Sequence, residues 1–312
     1  MCNKFKCLLL SCLLIAQFAK AQDTVFEGLK SVNGTELYCK VIGEGEPLVV
    51  LHGGPGLSHD YFLPHLQPLA ERFQLILFDQ RAQGQSSLEL DASQMSVQAM
   101  VDDIEGIRQV FGLQKIHLMA HSWGASIAVR YAAQYPESIQ SLILVSAVPL
   151  NPQAFEEKMR SMPPPPQHPQ DSLERAELMA SEAFKNREAA AMEKLLLLNF
   201  RRSAYDRNNM KKLNLNLQST FSKGSQMLGG MGPEAMVYDL TETAKKITCP
   251  TLVIHGKADL IPLEISLETD RTIPDASLRQ MMKSGHFPFV EEPGKFNKMI
   301  GKWMKKHAST KG

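Results

Sequence analysis

The chain has 312 residues, and its 34 lysines and arginines nearly balance 33 aspartates and glutamates, giving a formal net charge of +1. With no basic stripe, that balance argues against nucleic acid as a partner. The length is enough for one large domain with a full core and an insertion.

Lys4 and Lys6 precede an apolar run from Cys7 to Ala19, and Ala19-Lys20-Ala21 makes a small-x-small cleavage pattern. This is the layout of a secretory signal peptide over residues 1–21, with a run too short to span a bilayer. The expected mature chain begins at Gln22, is exported to the periplasm or the medium, and is not stably inserted in a membrane. A lipoprotein anchored at Cys12, after Leu9-Leu10-Ser11, is the minor alternative because its cleavage splits the apolar run. Cleavage removes Cys2, Cys7 and Cys12. Cys39 and Cys249 remain, so far apart that they read as separate buried residues, although the sequence leaves their pairing open.

Val25 to Val32, Asn33-Gly34 and Thr35 to Ile42 read as a hairpin with a type I′ turn. Pro47 to Leu51 is a short apolar strand of the kind buried on both faces, and it runs into His52-Gly53-Gly54-Pro55-Gly56. A helix is expected over Tyr61 to Arg72, a buried strand over Phe73 to Phe78, and a loop from Asp79 to Ser86 in which Asp79 and Arg81 form a bracing ion pair. Ser96 to Phe111 is helical and ends at Gly112. Ile116 to Ala120 is again an apolar strand. After Gly124 the pattern changes to helix spacing, with Ile127, Ala128, Tyr131, Ala132 and Tyr135 on one stripe, closed by Pro136. Ile139 to Val145 is the next strand.

The regular strand–helix alternation stops after Ala147. Residues 148–243 show no convincing parallel strand but have helical patterns over Leu173–Phe184, Glu188–Phe200, Asn208–Leu217 and near Pro233–Leu240. The run Pro163–Pro166 reads as a stiff connector, a docking site for a proline-reading partner being the minor alternative. Alternation resumes with a strand over Thr251–His255, a helix over Pro262–Arg271, a strand over Ser277–Met282 and a last helix over Pro293–Lys306. Right-handed crossovers make this an open, mostly parallel sheet with helices on both faces. The core is expected over 22–147 and 244–312, with 148–243 inserted as a helical cap.

Ser122 sits at the strand-to-helix junction in Ala120-His121-Ser122-Trp123-Gly124. A serine there is thrust above the sheet at a helix N-terminus, where free N–H groups favour developing negative charge. The pattern is that of a G-x-S-x-G nucleophile elbow with Ala120 in the first glycine position. Alone, it is shared by an ordinary serine N-cap, so its partners decide. A nucleophilic serine needs a base within hydrogen-bond reach and an acid that sets the base's tautomer, and here both should follow it in the chain. Of the later histidines, His168 lies among prolines, His255 at the end of a strand where it is buried, and His307 in a Lys-rich tail. His286 occupies the loop after the final strand, at the carboxyl edge, and is the expected base. Asp259, four residues after His255, is the expected acid; Asp270 and Asp275 lie on or beyond the next helix. The N–H of Trp123, and that of Gly54 in preference to Gly53, are the expected oxyanion donors.

Together these residues resemble the α/β-hydrolase superfamily and, within it, the proline iminopeptidase family of serine peptidases. His52-Gly53-Gly54-Pro55-Gly56 is similar to that family's oxyanion loop, Asp79-Gln80-Arg81 to its Asp-Gln-Arg-Gly loop, and His121-Ser122-Trp123-Gly124 to its elbow. Pro250 to Gly256 with Asp259, and Gly285-His286 followed by Glu291-Glu292-Pro293, match its acid and histidine segments. The likeness covers nearly all of the chain outside the cap. The chain departs from the family at Ala120 and at Ala82-Gln83, where a glycine is usual. It also lacks the Glu-Asn-His-Tyr stretch with which many of those enzymes hold the substrate's amino group.

With export expected from the signal peptide, the resemblance implies a serine hydrolase with an α/β-hydrolase fold, needing no metal or cofactor. Its triad is Ser122, His286 and Asp259, and its substrate a short peptide or amino-acid amide entering by its N-terminus. The alternative is a carboxylic-ester hydrolase using the same triad. A pure ligand-binding protein on this scaffold has no need of all three groups. An aminopeptidase must meet a substrate ammonium with a carboxylate. The cap offers Glu156, Glu157, Glu174, Glu177, Glu182, Glu188 and Glu193, most of which are expected on solvated helix faces. The oligomeric state is left open.

Overall fold

A computed structural model describes residues 24–160 and 168–308; the expected signal peptide, Cys12 and the Pro163–Pro166 run lie outside the described residues. Thr24–Val32 (β1) and Thr35–Ile42 (β2) form the expected antiparallel hairpin, with Asn33 in the left-handed region at φ 45° as a type I′ turn requires. The further strands are Glu46–Leu51 (β3), Phe73–Phe78 (β4), Ile116–His121 (β5), Ile139–Val145 (β6), Thr251–Gly256 (β7) and Ala276–Met281 (β8). They join one sheet in the order β1-β2-β4-β3-β5-β6-β7-β8, parallel from β4 to β8.

Alternate strand residues feed two separate cores, as uninterrupted apolar strands must when both faces are covered. Val49, Leu51, Ile76, Phe78, Leu118, Leu142 and Leu144 face one core, packed by the helices Val97–Val110 (α1) and Gly124–Gln134 (α2). Leu48, Val50, Leu75, Leu77, Met119, Ile143 and Ile254 face the other, with Phe62, Phe73, Phe287, Phe289 and Phe296. Ser96 caps α1 by accepting the Ala99 N–H. Cys39 and Cys249 are both unpaired and buried.

Between β6 and β7 the described residues form Pro152–Arg160 (α3), Pro169–Ala180 (α4), Glu182–Lys185 (α5), Ala189–Phe200 (α6), Phe221–Gly229 (α7) and Thr241–Ala244 (α8), and no strand. After β7 come Leu263–Thr272 (α9), Pro288–Glu291 (α10) and Pro293–Lys306 (α11). No described helix is long and apolar enough to cross a membrane.

Three expectations are corrected. Tyr61–Arg72 is not an α-helix but two 3-10 turns, His59–Phe62 and Gln67–Glu71. Pro64 and Pro68 each lack an N–H and disfavour helical geometry in the residue before them. Asn208–Leu217 forms only a 3-10 turn over Arg207–Lys212, started by the Asp206 carboxylate on the Asn208 N–H. Asn208, Asn209, Asn214 and Asn216 compete for backbone hydrogen bonds, and beyond the turn Leu213 and Leu215 bury with a period of two. Near Pro233–Leu240 only Pro233–Ala235 is helical, also 3-10, while α3 and α7 arise where no helix was expected.

Ala82 sits at φ 58° and is buried, in the position where the resembling family has glycine. A non-glycine residue there stores roughly 1–2 kcal/mol, against about 0.4–1 kcal/mol of unfolded-state entropy that glycine adds. Ala82→Gly should therefore raise stability by roughly 0.5–1 kcal/mol, read as a higher urea midpoint, and Ala82→Val should lower it. A lower midpoint for the glycine variant would show that the left-handed alanine carries no strain.

Candidate active site

The junction of β5 and α2 places Ser122 at φ 54°. Its N–H donates to the Val145 carbonyl at 2.9 Å, and its own carbonyl accepts the N–H of Ala125 at 3.0 Å, so the turn is tied to β6 and to α2. Gly124 is needed for close approach, because a Cβ there would lie 2.5 Å from the His52 carbonyl oxygen. The helix start and the loop after β3 therefore touch backbone to backbone beside the serine.

The structure brings the three expected polar groups together. His286 Nε2 lies 3.0 Å from Ser122 Oγ, and His286 Nδ1 lies 2.9 Å from Asp259 Oδ2 and 3.0 Å from Oδ1. Asp259 Oδ1 also accepts the Ile261 N–H at 3.0 Å and the Ser203 hydroxyl at 2.9 Å. Burial alone raises the Asp259 pKa, yet the charge and hydrogen bond of His286, with those donors, hold it below the usual carboxylate value. An ionised carboxylate on Nδ1 keeps the proton there and leaves Nε2 as the acceptor facing Ser122, the arrangement a general base requires. His255, by contrast, is buried with Nδ1 3.0 Å from Ser266 Oγ, away from the serine.

Of the two glycines considered as oxyanion donors, Gly53 already gives its N–H to the Tyr61 hydroxyl at 2.6 Å. Gly54 follows at φ 126°, and Trp123 precedes α2 as its cap residue. The Gly53 bond opens a chain unseen in the sequence. Tyr61 O–H donates to His121 Nδ1 at 2.9 Å, and His121 Nε2–H donates to the His286 carbonyl at 2.8 Å. His121 is fully buried, and desolvation, reinforced by the neighbouring His286, pushes its pKa down to about 3. It is therefore a neutral spacer of fixed tautomer between the glycine loop, the elbow and the histidine loop.

The expected Asp79–Arg81 pair is corrected. Asp79 Oδ1 accepts from the backbone N–H of His59 at 2.7 Å and from its ring Nδ1 at 2.8 Å, while Arg81 holds Asp103 with Nε at 2.7 Å and Nη2 at 2.5 Å. All four side chains are buried. A two-residue spacing turns Asp79 and Arg81 into different surroundings, so each finds a partner from another element. The bracing role stands with exchanged partners.

Of the seven glutamates of the inserted segment, Glu156, Glu157, Glu177, Glu182 and Glu188 are exposed. Glu174 is half-buried and bound to Arg201 at 2.8 Å. Glu193 is half-buried and accepts the Leu217 N–H at 2.9 Å. It lies seven residues before Phe200 on α6, hence on the same helix face, and the Phe200 ring stacks on His286 with centroids 6.4 Å apart.

A family model for the alpha/beta hydrolase fold matches residues 46–293. The chain belongs to the α/β-hydrolase family. Among curated α/β-hydrolase relatives, a proline iminopeptidase of Lactobacillus delbrueckii subsp. bulgaricus is 30% identical over 292 residues, covering 86% of this chain and 94% of the relative. The crystal structure of a proline iminopeptidase from Mycobacterium smegmatis superposes with TM-score 0.65 at 19% identity, covering 90% of this chain and 98% of that one. An esterase from Exiguobacterium antarcticum superposes with TM-score 0.66 at 22% identity, covering 90% and 100%. At those identities the two structures speak for the hydrolase fold alone.

Proposed function

We propose that this hydrolase is an exported serine aminopeptidase, similar to proline iminopeptidases, that releases the N-terminal residue of short peptides through an acyl-enzyme. The observation that carries the reading is the hydrogen-bonded series Ser122–His286–Asp259 at 2.9–3.0 Å. Ser122 Oγ attacks the scissile carbonyl carbon as His286 Nε2 takes its proton. The carbonyl oxygen gathers negative charge against the N–H groups of Trp123 and Gly54. When the carbon–nitrogen bond breaks, His286 returns the proton to the leaving amine, and the released residue remains esterified to Ser122. Water, deprotonated by the same imidazole, then frees the acid, while Asp259 stabilises the imidazolium in both halves.

A fluorophosphonate should label Ser122 at a rate that His286→Ala lowers by orders of magnitude, and Ser122→Ala should abolish labelling. Labelling of the Ser122→Ala protein at another serine, mapped by peptide mass analysis, would sink this triad.

For the substrate ammonium, Glu193 is the choice among the seven glutamates, because it shares the helix face that reaches His286 and its described hydrogen bond is to an uncharged donor, the Leu217 N–H. A prolyl or alanyl arylamide with a free amine should be cleaved at least ~100-fold faster than its N-acetylated form, since a buried charge left without its partner costs roughly 3 kcal/mol. Glu193→Gln should erase that preference while p-nitrophenyl ester cleavage survives. Equal rates on free and acetylated substrates would favour the esterase reading, which uses the same Ser122, His286 and Asp259.

Export is proposed from the charge and apolar pattern of residues 4–21. Mass analysis of the secreted chain should find Gln22 first; a diacylated Cys12 would replace this with a membrane-anchored lipoprotein.

A further inference from the structure

Ser203 is far from every motif of the sequence, yet it touches both members of the acid–base pair. It ends a 3-10 turn over Arg201–Ser203, directly after α6, and is buried. Its hydroxyl donates to Asp259 Oδ1 at 2.9 Å and accepts the Leu260 N–H at 3.0 Å. Its carbonyl accepts the His286 N–H at 2.7 Å. One residue of the inserted segment thus holds the acid by its side chain and the base by its backbone.

The docking is tight enough to require particular residues opposite. A Cβ on Gly285 would lie 1.9 Å from the Ser203 carbonyl oxygen, so only glycine lets the histidine loop reach this turn. Two carboxylates clamp the turn from either side. Asp171 on α4 binds both Arg201, at 3.0 Å, and Arg207. Glu291 accepts the N–H groups of Tyr205 at 2.9 Å and Asp206 at 3.1 Å with one oxygen, and that of Gly285 at 2.6 Å with the other. The turn is therefore fastened to the inserted helices and to the histidine loop at once.

We propose that Ser203 is a positioning residue for the acid–base pair, making the aligned state of Asp259 and His286 depend on docking of the inserted segment. The proposal rests on the triad reading given above. Asp259 sits where its two oxygens straddle His286 Nδ1, and the Ser203 hydroxyl and Ile261 N–H on Oδ1 prevent the carboxylate from rotating away. Without the hydroxyl, one charge-assisted bond to that oxygen is lost, and only the Ile261 N–H and His286 itself still orient the carboxylate.

The test is the kinetics of fluorophosphonate inactivation, which separates reversible binding (KI) from the bond-forming step (kinact) and needs no knowledge of the substrate. Ser203→Ala should lower kinact by ~10–100-fold, the size expected for one hydrogen bond to a charged group, with KI within about twofold of the parent. Ser203→Thr, which keeps the hydroxyl, should recover kinact to within about fivefold. Melting curves identify any variant that does not fold. If the alanine protein is among them, Ser203→Cys, similar in size with a weaker donor, takes its place with the same expected fall in kinact. An unchanged kinact, or a threonine protein no better than the alanine one, overturns the role of Ser203 and leaves the triad standing. A parent protein that is not labelled at Ser122 overturns the triad reading itself.

Discussion

A strand that must hand over to a helix within two residues leaves the first of them little choice of conformation, and the fold depends on how Ser122 meets this constraint. At φ 54° a serine is strained by about 1–2 kcal/mol, which only surrounding contacts can hold in place. The contacts come from three directions: the Val145 carbonyl on β6, the first turn of α2, and the close approach of Gly124 to the His52 carbonyl. The strain puts the hydroxyl above the carboxyl edge of the sheet, where the loops after β7 and β8 deliver Asp259 and His286.

The neighbouring His121 turns a local constraint into a shared one. Its ring lies among Tyr61, Phe62, Phe287 and Phe289 and against the His286 ring. An imidazole so enclosed cannot carry charge, so it acts as one acceptor and one donor of fixed direction. The acceptor takes Tyr61, which in turn takes the Gly53 N–H; the donor takes the His286 carbonyl. Glycine loop, elbow and histidine loop are therefore set relative to one another by neutral bonds, and the charges are left to Asp259 and His286. Engaging the Gly53 amide with the Tyr61 hydroxyl agrees with the preference for Gly54 in the proposed oxyanion site.

Most of this frame was legible in the sequence because buried parallel strands carry an unmistakable apolar run and end in loops where chemistry-bearing residues stand out. Ser122 and Asp259 each follow such a run and His286 follows the more polar edge strand β8, and the structure brings the three within hydrogen-bond distance. What was missed depends on contacts of long sequence separation. Asp79 and Arg81 were matched to each other because they are neighbours in the chain, whereas His59 and Asp103 reach them from other elements. Ser203 has no local signature: it is one serine after an arginine pair, and its importance lies in residues 56 and 57 positions further on. The helix over Tyr61–Arg72 failed because apolar periodicity outweighed two prolines, and that over Asn208–Leu217 because asparagine side chains serve turns as readily as helices.

The inserted segment also distributes its charges in a way that bears on substrate choice. Asp171 and Glu174 are neutralised by Arg201 and Arg207, and that network fastens the turn that carries Ser203. Glu193 accepts the uncharged Leu217 amide, a bond that stabilises its negative charge without cancelling it. A half-buried carboxylate in that condition has little to offer an uncharged ester or an acylated amine, which brings no charge to share. On the aminopeptidase reading proposed above, a free ammonium would add a Coulomb attraction that strengthens as water is excluded from around the pair. One face of α6 thus carries both Phe200, whose ring stacks on His286, and, two turns earlier, Glu193, the carboxylate proposed above for the substrate ammonium.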